Sequence, residues 1–157
     1  MKTKTILLLL ATCLLLVFAS RCKEKEETLT LCKELLKRGA ANPELLIGEW
    51  RFESFSHTKD GVNFIEKGKI AKGKIVITDS DTIWLTHTNE YRYIYEISSS
   101  NKIKIRLNGS TFINPPDEEI YITEVFDKVM CYSIYNNVLY LHFSESGEQN
   151  ILVLNKF

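Results

Sequence analysis

The stretch that decides the fold is Pro43-Glu44-Leu45-Leu46-Ile47-Gly48-Glu49-Trp50-Arg51-Phe52. Asparagine before proline suits the cap and first position of a helix, so the sequence predicts one helical turn over residues 42–46. Gly48 ends that turn, and a strand begins that carries Trp50 on one face. The chain before this stretch has the pattern of an export signal, a tether and a helix. The chain after it has the pattern of short strands.

The hydrophobic pattern after residue 46 repeats every second residue, which indicates half-buried strands. Ile103, Ile105 and Leu107 alternate with charged residues, and Asn108-Gly109 is typical of a hairpin turn. Strands are predicted near residues 46–56, 62–66, 73–77, 82–87, 91–97, 102–107, 119–126, 129–135, 138–143 and 149–156. About 8–10 short strands at hairpin spacing predict an all-β fold, a single antiparallel meander that closes into a barrel and so removes its edges.

Length and charge limit the class of protein. The chain has 157 residues and no internal repeat, which indicates one domain plus processed sequence. Residues 1–21 contain three basic and no acidic residues, so the remainder has 17 basic and 20 acidic residues. This slightly acidic balance gives no reason to expect a nucleic-acid partner.

The first 21 residues have the pattern of a secretory signal. Lys2 and Lys4 precede an uncharged stretch over residues 6–18, which is long enough for a signal peptide and too short for a membrane span. Ala19-Ser20-Arg21-Cys22 then resembles the lipobox of bacterial lipoproteins, although Arg21 stands where that family has a small residue. The resemblance implies that Cys22 is acylated and becomes the mature N-terminus. The alternative is an ordinary secretory signal or an uncleaved anchor.

Two further segments separate Cys22 from the strands. Residues 22–27 form a charged tether, whose Lys-Glu-Lys-Glu-Glu run resembles the surface-export signal of some Gram-negative lipoproteins. We expect a cell-envelope protein attached to the outer membrane by its lipid, displayed on the cell surface or facing the periplasm. Residues 28–41 are predicted to form an N-terminal helix and loop, because Leu29, Cys32 and two further leucines share one helical face. The predicted barrel domain occupies residues 42–157.

A second resemblance concerns the entry to the first strand. Gly48-Glu49-Trp50 is similar to the Gly-x-Trp signature of lipocalins, and residues 43–157 resemble the small lipocalin-like domains of bacterial lipoproteins. The other lipocalin motifs are missing. The resemblance implies that Trp50 closes the base of the barrel beneath a basic side chain, Lys156 or Arg51. The alternative is that Trp50 is only a large core residue.

Three tyrosines mark a candidate ligand site. Tyr91, Tyr93 and Tyr95 alternate with residues that include two charges, so we expect the phenols to point into the barrel, with Trp84 on the neighbouring strand joining them. A small barrel holds either its own side chains or one small ligand. An interior rich in tyrosine and tryptophan suits a flat or amphipathic guest, since these residues stack and form hydrogen bonds. The alternative is that they only fill the barrel.

The cysteines predict a candidate disulfide. Cys13 is removed with the signal and Cys22 is acylated, which leaves Cys32 and Cys131 as an even pair in an oxidising compartment. Alternation along residues 129–135 points Cys131 outward, where a helix against the outer wall brings Cys32 to it. Two unpaired thiols are the alternative.

The sequence carries no catalytic pattern. There is no Gly-x-Ser-x-Gly, no cysteine–histidine signature and no glycine-rich phosphate loop, and His57, His87 and His142 lie near different strands. We therefore expect a protein that is not an enzyme and needs no cofactor or metal. The leading hypothesis is a lipid-anchored lipoprotein that binds a small, partly apolar ligand. The second is a structural or protein-interaction lipoprotein with a solidly packed barrel and an unknown protein partner.

Overall fold

The computed structural model describes residue 32 and residues 42–59, 62–67, 73–99, 101–111, 113–145 and 148–157. The predicted signal and tether lie outside these residues, as does the predicted N-terminal helix except for Cys32, whose backbone is helical. The elements are α1 (Pro43–Leu46), β1 (Gly48–Lys59), β2 (Val62–Lys67), β3 (Lys74–Ile77), β4 (Thr82–Thr86), β5 (Glu90–Ser99), β6 (Lys102–Ser110), α2 (Asp117–Lys128), β7 (Val129–Tyr135), β8 (Val138–Glu145) and β9 (Glu148–Lys156).

The strands close into an antiparallel barrel because β1 pairs with the last strand. The ladder between β1 and β9 runs from Trp50 opposite Lys156 to His57 opposite Asn150. The closed ring therefore contains eight strands, β1 and β3 to β9, in chain order. Strand β2 pairs with the second half of β1, beyond the part of β1 that pairs with β3. The predicted all-β, lipocalin-like barrel is confirmed.

Among the described strands of the barrel, pairing is least continuous between β6 and β7, and we call this place the β6–β7 seam. Within the described residues these strands share a single bridge pair, Lys102 opposite Cys131. The connection between them contains α2, which packs against β6 and β8. Helix α2 therefore covers the place where the sheet is least continuous.

The strand predicted over residues 119–126 is wrong, because these residues form most of α2. Acidic side chains occupy the first turn of this helix and Lys128 the last, which suits the helix dipole. Ile122, Val125 and Phe126 are buried at helical spacing. Packing of this face against the barrel overrides the β propensity of the Ile-Tyr-Ile-Thr run.

The predicted hairpin at Asn108-Gly109 is also wrong, since both residues lie inside β6. Arg92 pairs with Gly109 and Tyr93 with Leu107, so Asn108 is the extra residue of a β-bulge. The chain has already turned between Ser99 and Lys102, and Asn108-Gly109 instead lies at the bulge that bends β6.

Aromatic rings fill the barrel interior where α2 meets it. Phe126 of α2 packs edge-on against Phe52 with ring centroids 6.5 Å apart, and against Tyr93 at 5.2 Å. Phe55 and Phe143 are in contact at 5.6 Å. The interior is therefore lined by rings from both the sheet and the helix. Among the described residues no helix has the length and apolar character needed to cross a membrane.

Candidate functional site

The three tyrosines of β5 point into the barrel, as their alternation predicted. Tyr91, Tyr93 and Tyr95 are 4%, 0% and 6% exposed. Their hydroxyls differ in what they bind. The Tyr95 hydroxyl donates a 3.1 Å hydrogen bond to the carbonyl of Thr78, and the Tyr91 hydroxyl is hydrogen-bonded to the Glu119 carboxylate.

Tyr93 is the exception among the three. Its hydroxyl is buried and has no hydrogen-bond partner among the described residues. Its ring stacks on Tyr91 at 6.5 Å and packs against Phe126 at 5.2 Å. A buried polar group without a partner is rare in native proteins and needs an explanation, of which an ordered water is one and a bound ligand another.

Burial also controls the ionisation of these phenols. It raises the pKa of Tyr91, Tyr93 and Tyr95 above the ordinary value, and negative charges nearby, such as that of Asp127 beside Tyr93, raise it further. Burial likewise raises the pKa of Tyr132 to about 12. A phenol of ordinary pKa is already protonated at neutral pH, and these upward shifts of the pKa extend the protonated, hydrogen-bond-donating form to higher pH.

Trp84 does not join this group. Its side chain is 40% exposed, while Ile83 and Leu85 on either side are buried. Trp84 pairs with Arg92 across the outer face of the sheet, and the Arg92 guanidinium carbon lies 5.6 Å from the Trp84 ring centroid. The predicted inward orientation of Trp84 is wrong because a continuous Ile-Trp-Leu run contains no alternation from which to read its face.

A buried polar cluster around Glu119 lies at the end of the barrel formed by the β4–β5 turn and α2, which we call the mouth. The Glu119 side chain is 0% exposed; its Oε1 accepts a 2.8 Å hydrogen bond from the backbone N–H of Asn89, and its Oε2 lies 3.4 Å from His87 Nδ1. Burial by itself raises the pKa of Glu119. Hydrogen bonds from Asn89 and Tyr91, together with the nearby His87, outweigh burial and lower the pKa below its ordinary value.

Asn89 extends the cluster towards the connection that precedes α2. It is 2% exposed, its Nδ2 donates to the carbonyl of Ile113 at 3.2 Å, and its Oδ1 accepts from the Ile113 N–H at 2.8 Å. The turn is thus fastened to both the helix and the preceding loop. Sequence reasoning missed this cluster because it assigned residue 119 to a strand. Three successive acids after a Pro-Pro pair were the available signal.

Trp50 lies at the opposite end of the barrel, its base. This side chain is 0% exposed, and its Nε1 donates a 2.7 Å hydrogen bond to the carbonyl of Leu46 in α1. The Lys156 Nζ lies 5.2 Å from the Trp50 ring centroid, in cation–π range, whereas the Arg51 guanidinium lies over Phe157. The structure therefore brings together Trp50 and Lys156 of the proposed barrel base.

The absence of a side chain at Gly48 leaves space for the Lys156 side chain at the base. The Gly48 backbone has a φ of 139°, and a Cβ there would lie 3.0 Å from the Lys156 Cε. Both the conformation and the contact favour glycine.

Cys32 and Cys131 are joined by a disulfide bond. Both are at most 1% exposed and form a cluster separate from the barrel core, on the outside of β7. The carbonyl of Cys32 also accepts a 2.5 Å hydrogen bond from Asn101 Nδ2. The segment that precedes the barrel is therefore attached to its outer wall at Cys131.

Comparison with known proteins supports the fold only. No protein-family model and no curated protein matches the chain. A solved structure does. The crystal structure of a DUF4847 family protein from Bacteroides vulgatus has a TM-score of 0.56 and 12% sequence identity, with 71% of this chain and 93% of that chain covered. At this identity, the similarity to the DUF4847 protein shows a shared fold.

The shared barrel contains no evident metal centre in its described part. No group of three or more histidine, cysteine, aspartate or glutamate side chains is placed there to hold an ion. His87 lies beside Glu119, and His142 is buried on β8 opposite Cys131. For His57 only the backbone is described, in β1.

Proposed function

We propose that this protein is a lipid-anchored lipoprotein of the bacterial outer membrane that binds, without catalysis, one small and partly apolar ligand inside its barrel. The observation that carries the proposal is the buried hydroxyl of Tyr93, which lacks a partner among the described residues. Leaving such a group unpaired costs about 1–3 kcal/mol. An acceptor atom on a bound ligand would remove that cost.

The surroundings of Tyr93 define the chemistry of the ligand. The rings of Tyr91 and Phe126 lie against Tyr93 and offer flat, apolar contact. The Tyr93 phenol is protonated at neutral pH, as an ordinary phenol is, and can donate a hydrogen bond. The best match is a flat apolar body with one oxygen acceptor. The β6–β7 seam under α2 is the place where such a ligand would enter, since only one bridge pair joins these strands in the described structure.

Membrane attachment rests on Cys22 and is compatible with the disulfide. Cys32 lies ten positions after Cys22 in the sequence, which limits the distance from the lipid to the β7 wall to about 35 Å. A Cys22→Ala variant should lose acyl labelling and appear in the soluble fraction. A variant that keeps its acyl label and still sediments with membranes would contradict lipidation at this residue.

The ligand is tested by native mass spectrometry of the full-length protein, released gently from host membranes in mild detergent. The wild type should carry an extra mass that denaturation removes. Tyr93→Phe deletes only the unpaired hydroxyl and should reduce the loaded fraction at least about tenfold. The matched control is Tyr140→Phe, which removes a hydroxyl from the half-buried side chain of Tyr140. A bare wild-type mass, or equal loading in both variants, would overturn the proposal.

A second candidate, docking of a protein partner, is favoured by the outer wall. Trp84 is 40% exposed beside Arg92, and the interior between Tyr93 and α2 is packed with rings. In this case Trp84→Ala would abolish capture of a partner in cross-linking on intact cells, and Tyr93→Phe would leave capture unchanged. Under the ligand hypothesis, Tyr93→Phe lowers the fraction of protein loaded with ligand and Trp84→Ala leaves that fraction unchanged.

A further inference from the structure

A cleft lies at the base of the barrel, at the opposite end from the Glu119 cluster. It has a volume of about 310 Å³, and its walls include Leu45, Trp50, Tyr135, Asn137 and Lys156. Leu45 and Tyr135 are 42% and 57% exposed, so two large apolar side chains face solvent beside this cleft. The volume is at the lower end of the range of small-molecule sites, which suits a molecule of one or two rings.

Lys156 supplies the charge of the cleft. Its Nζ contacts the Leu45 carbonyl at 3.4 Å and lies above the Trp50 ring at 5.2 Å. In the part of the chain that the structure describes, no carboxylate lies within ion-pair distance of Lys156, whereas Lys74 nearby is paired with Glu49. An ammonium group carries three donors, so Lys156 retains donors for an incoming anion.

We propose that this cleft binds a small aromatic acid, with its carboxylate on Lys156 and its ring among the apolar side chains. One concave site combines a lysine that has no carboxylate partner among the described residues, the Trp50 ring beneath it and exposed apolar walls. It is independent of the proposed interior ligand, because no residue of the tyrosine group lines the cleft. A charge-assisted hydrogen bond would orient the acid, and burial of the ring would supply most of the affinity.

Trp50 provides a reporter for this site. The chain contains two tryptophans, so a Trp84→Phe background leaves Trp50 as the sole indole emitter. The probe is 4-iodobenzoate, whose heavy atom quenches indole fluorescence on contact. The measurement uses the full-length protein in mild detergent. Quenching of Trp50 should be saturable, and the uncharged analogue 4-iodobenzamide should bind at least about tenfold more weakly.

Four variants in this background decide the assignment. Lys156→Gln should weaken 4-iodobenzoate binding about tenfold or more, and Lys156→Arg should restore it. Lys104→Gln, on the exposed outer face of β6, is the matched control and should have no effect. Tyr93→Phe should also leave the titration unchanged, which separates this site from the interior one. If Lys156→Gln unfolds the protein, Tyr135→Ala replaces it, with the same expected loss.

Two results would overturn the inference. One is quenching of Trp50 that rises linearly with probe concentration and does not saturate. The other is a saturable titration that is equal for the wild type, Lys156→Gln and the uncharged analogue.

Discussion

Glu119 and Asn89, 30 positions apart in the sequence, are joined at the barrel mouth by a 2.8 Å hydrogen bond from the Asn89 N–H to the buried Glu119 carboxylate. This bond ties α2 to the β4–β5 turn. His87 and Tyr91, which flank Asn89 in the sequence, also lie against the carboxylate. A charge with no exposed surface is tolerated here because it is hydrogen-bonded and faces a histidine.

Replacing Glu119 should change how stability depends on pH. The folded-state pKa of Glu119 is lowered, so its contribution to the free energy of unfolding is complete above its unfolded pKa of about 4.3 and is lost as the pH falls through the folded pKa. Glu119→Gln should lower stability at pH 7 by about 1.5–3 kcal/mol and flatten the acid limb below about pH 4. Urea unfolding at several pH values measures this. Glu124→Gln on the exposed side of α2 is the control, and an equal acid limb in all three proteins would refute the role of Glu119.

The hydroxyls of Tyr93 and Tyr95 should have opposite effects on stability. Tyr95→Phe breaks the bond to the Thr78 carbonyl and should cost about 0.5–1.5 kcal/mol. Tyr93→Phe removes a buried hydroxyl that has no partner among the described residues, and should leave the ligand-free protein as stable as the wild type or more stable by about 1 kcal/mol. Denaturant midpoints of ligand-free protein measure both. A clear loss of stability in Tyr93→Phe would show that the Tyr93 hydroxyl already has a hydrogen-bond partner in the ligand-free protein.

Trp50 and Trp84 should differ in their effect on folding although both are large. Trp50→Ala removes a fully buried ring and the bond to Leu46, and should cost about 3–5 kcal/mol. Trp84→Ala removes an exposed ring and should stay within about 0.5 kcal/mol of the wild type. Chemical unfolding followed by far-UV circular dichroism reports both without relying on tryptophan emission. Similar losses would mean that Trp84 is covered in solution.

The Cys32–Cys131 bond should stabilise the protein mainly by restricting the unfolded chain. It closes a loop with a sequence separation of 99, which in the chain-entropy model contributes up to about 4.7 kcal/mol. The double variant Cys32→Ser, Cys131→Ser should show this loss in urea unfolding and should no longer respond to reductant. Identical peptide maps with and without reductant would show that the cysteines do not pair in the cell.

Local patterns predicted most of the sheet. Strands β5 and β9 alternate between buried and less buried side chains, and a period of two can be read without knowing the neighbours. This is why the inward orientation of Tyr91, Tyr93 and Tyr95 followed from the sequence. The same reading gave the wrong orientation for Trp84, because its neighbours Ile83 and Leu85 are also apolar and the run shows no alternation. The contact between Ile113 and Asn89 was not predictable either, since nothing local to either residue indicates its partner.

The sequence by itself determined that this chain forms short antiparallel strands, that Trp50 lies near the start of the first of them, and that Cys32 and Cys131 are candidates to pair. These properties depend on residue type and spacing along the chain. Only the tertiary structure decided that residues 117–128 form a helix, that Tyr93 lacks a partner among the described residues, and that Glu119 is buried against the β4–β5 turn. The physical reason is that burial and hydrogen bonding depend on what packs across the barrel, and these partners are distant in sequence.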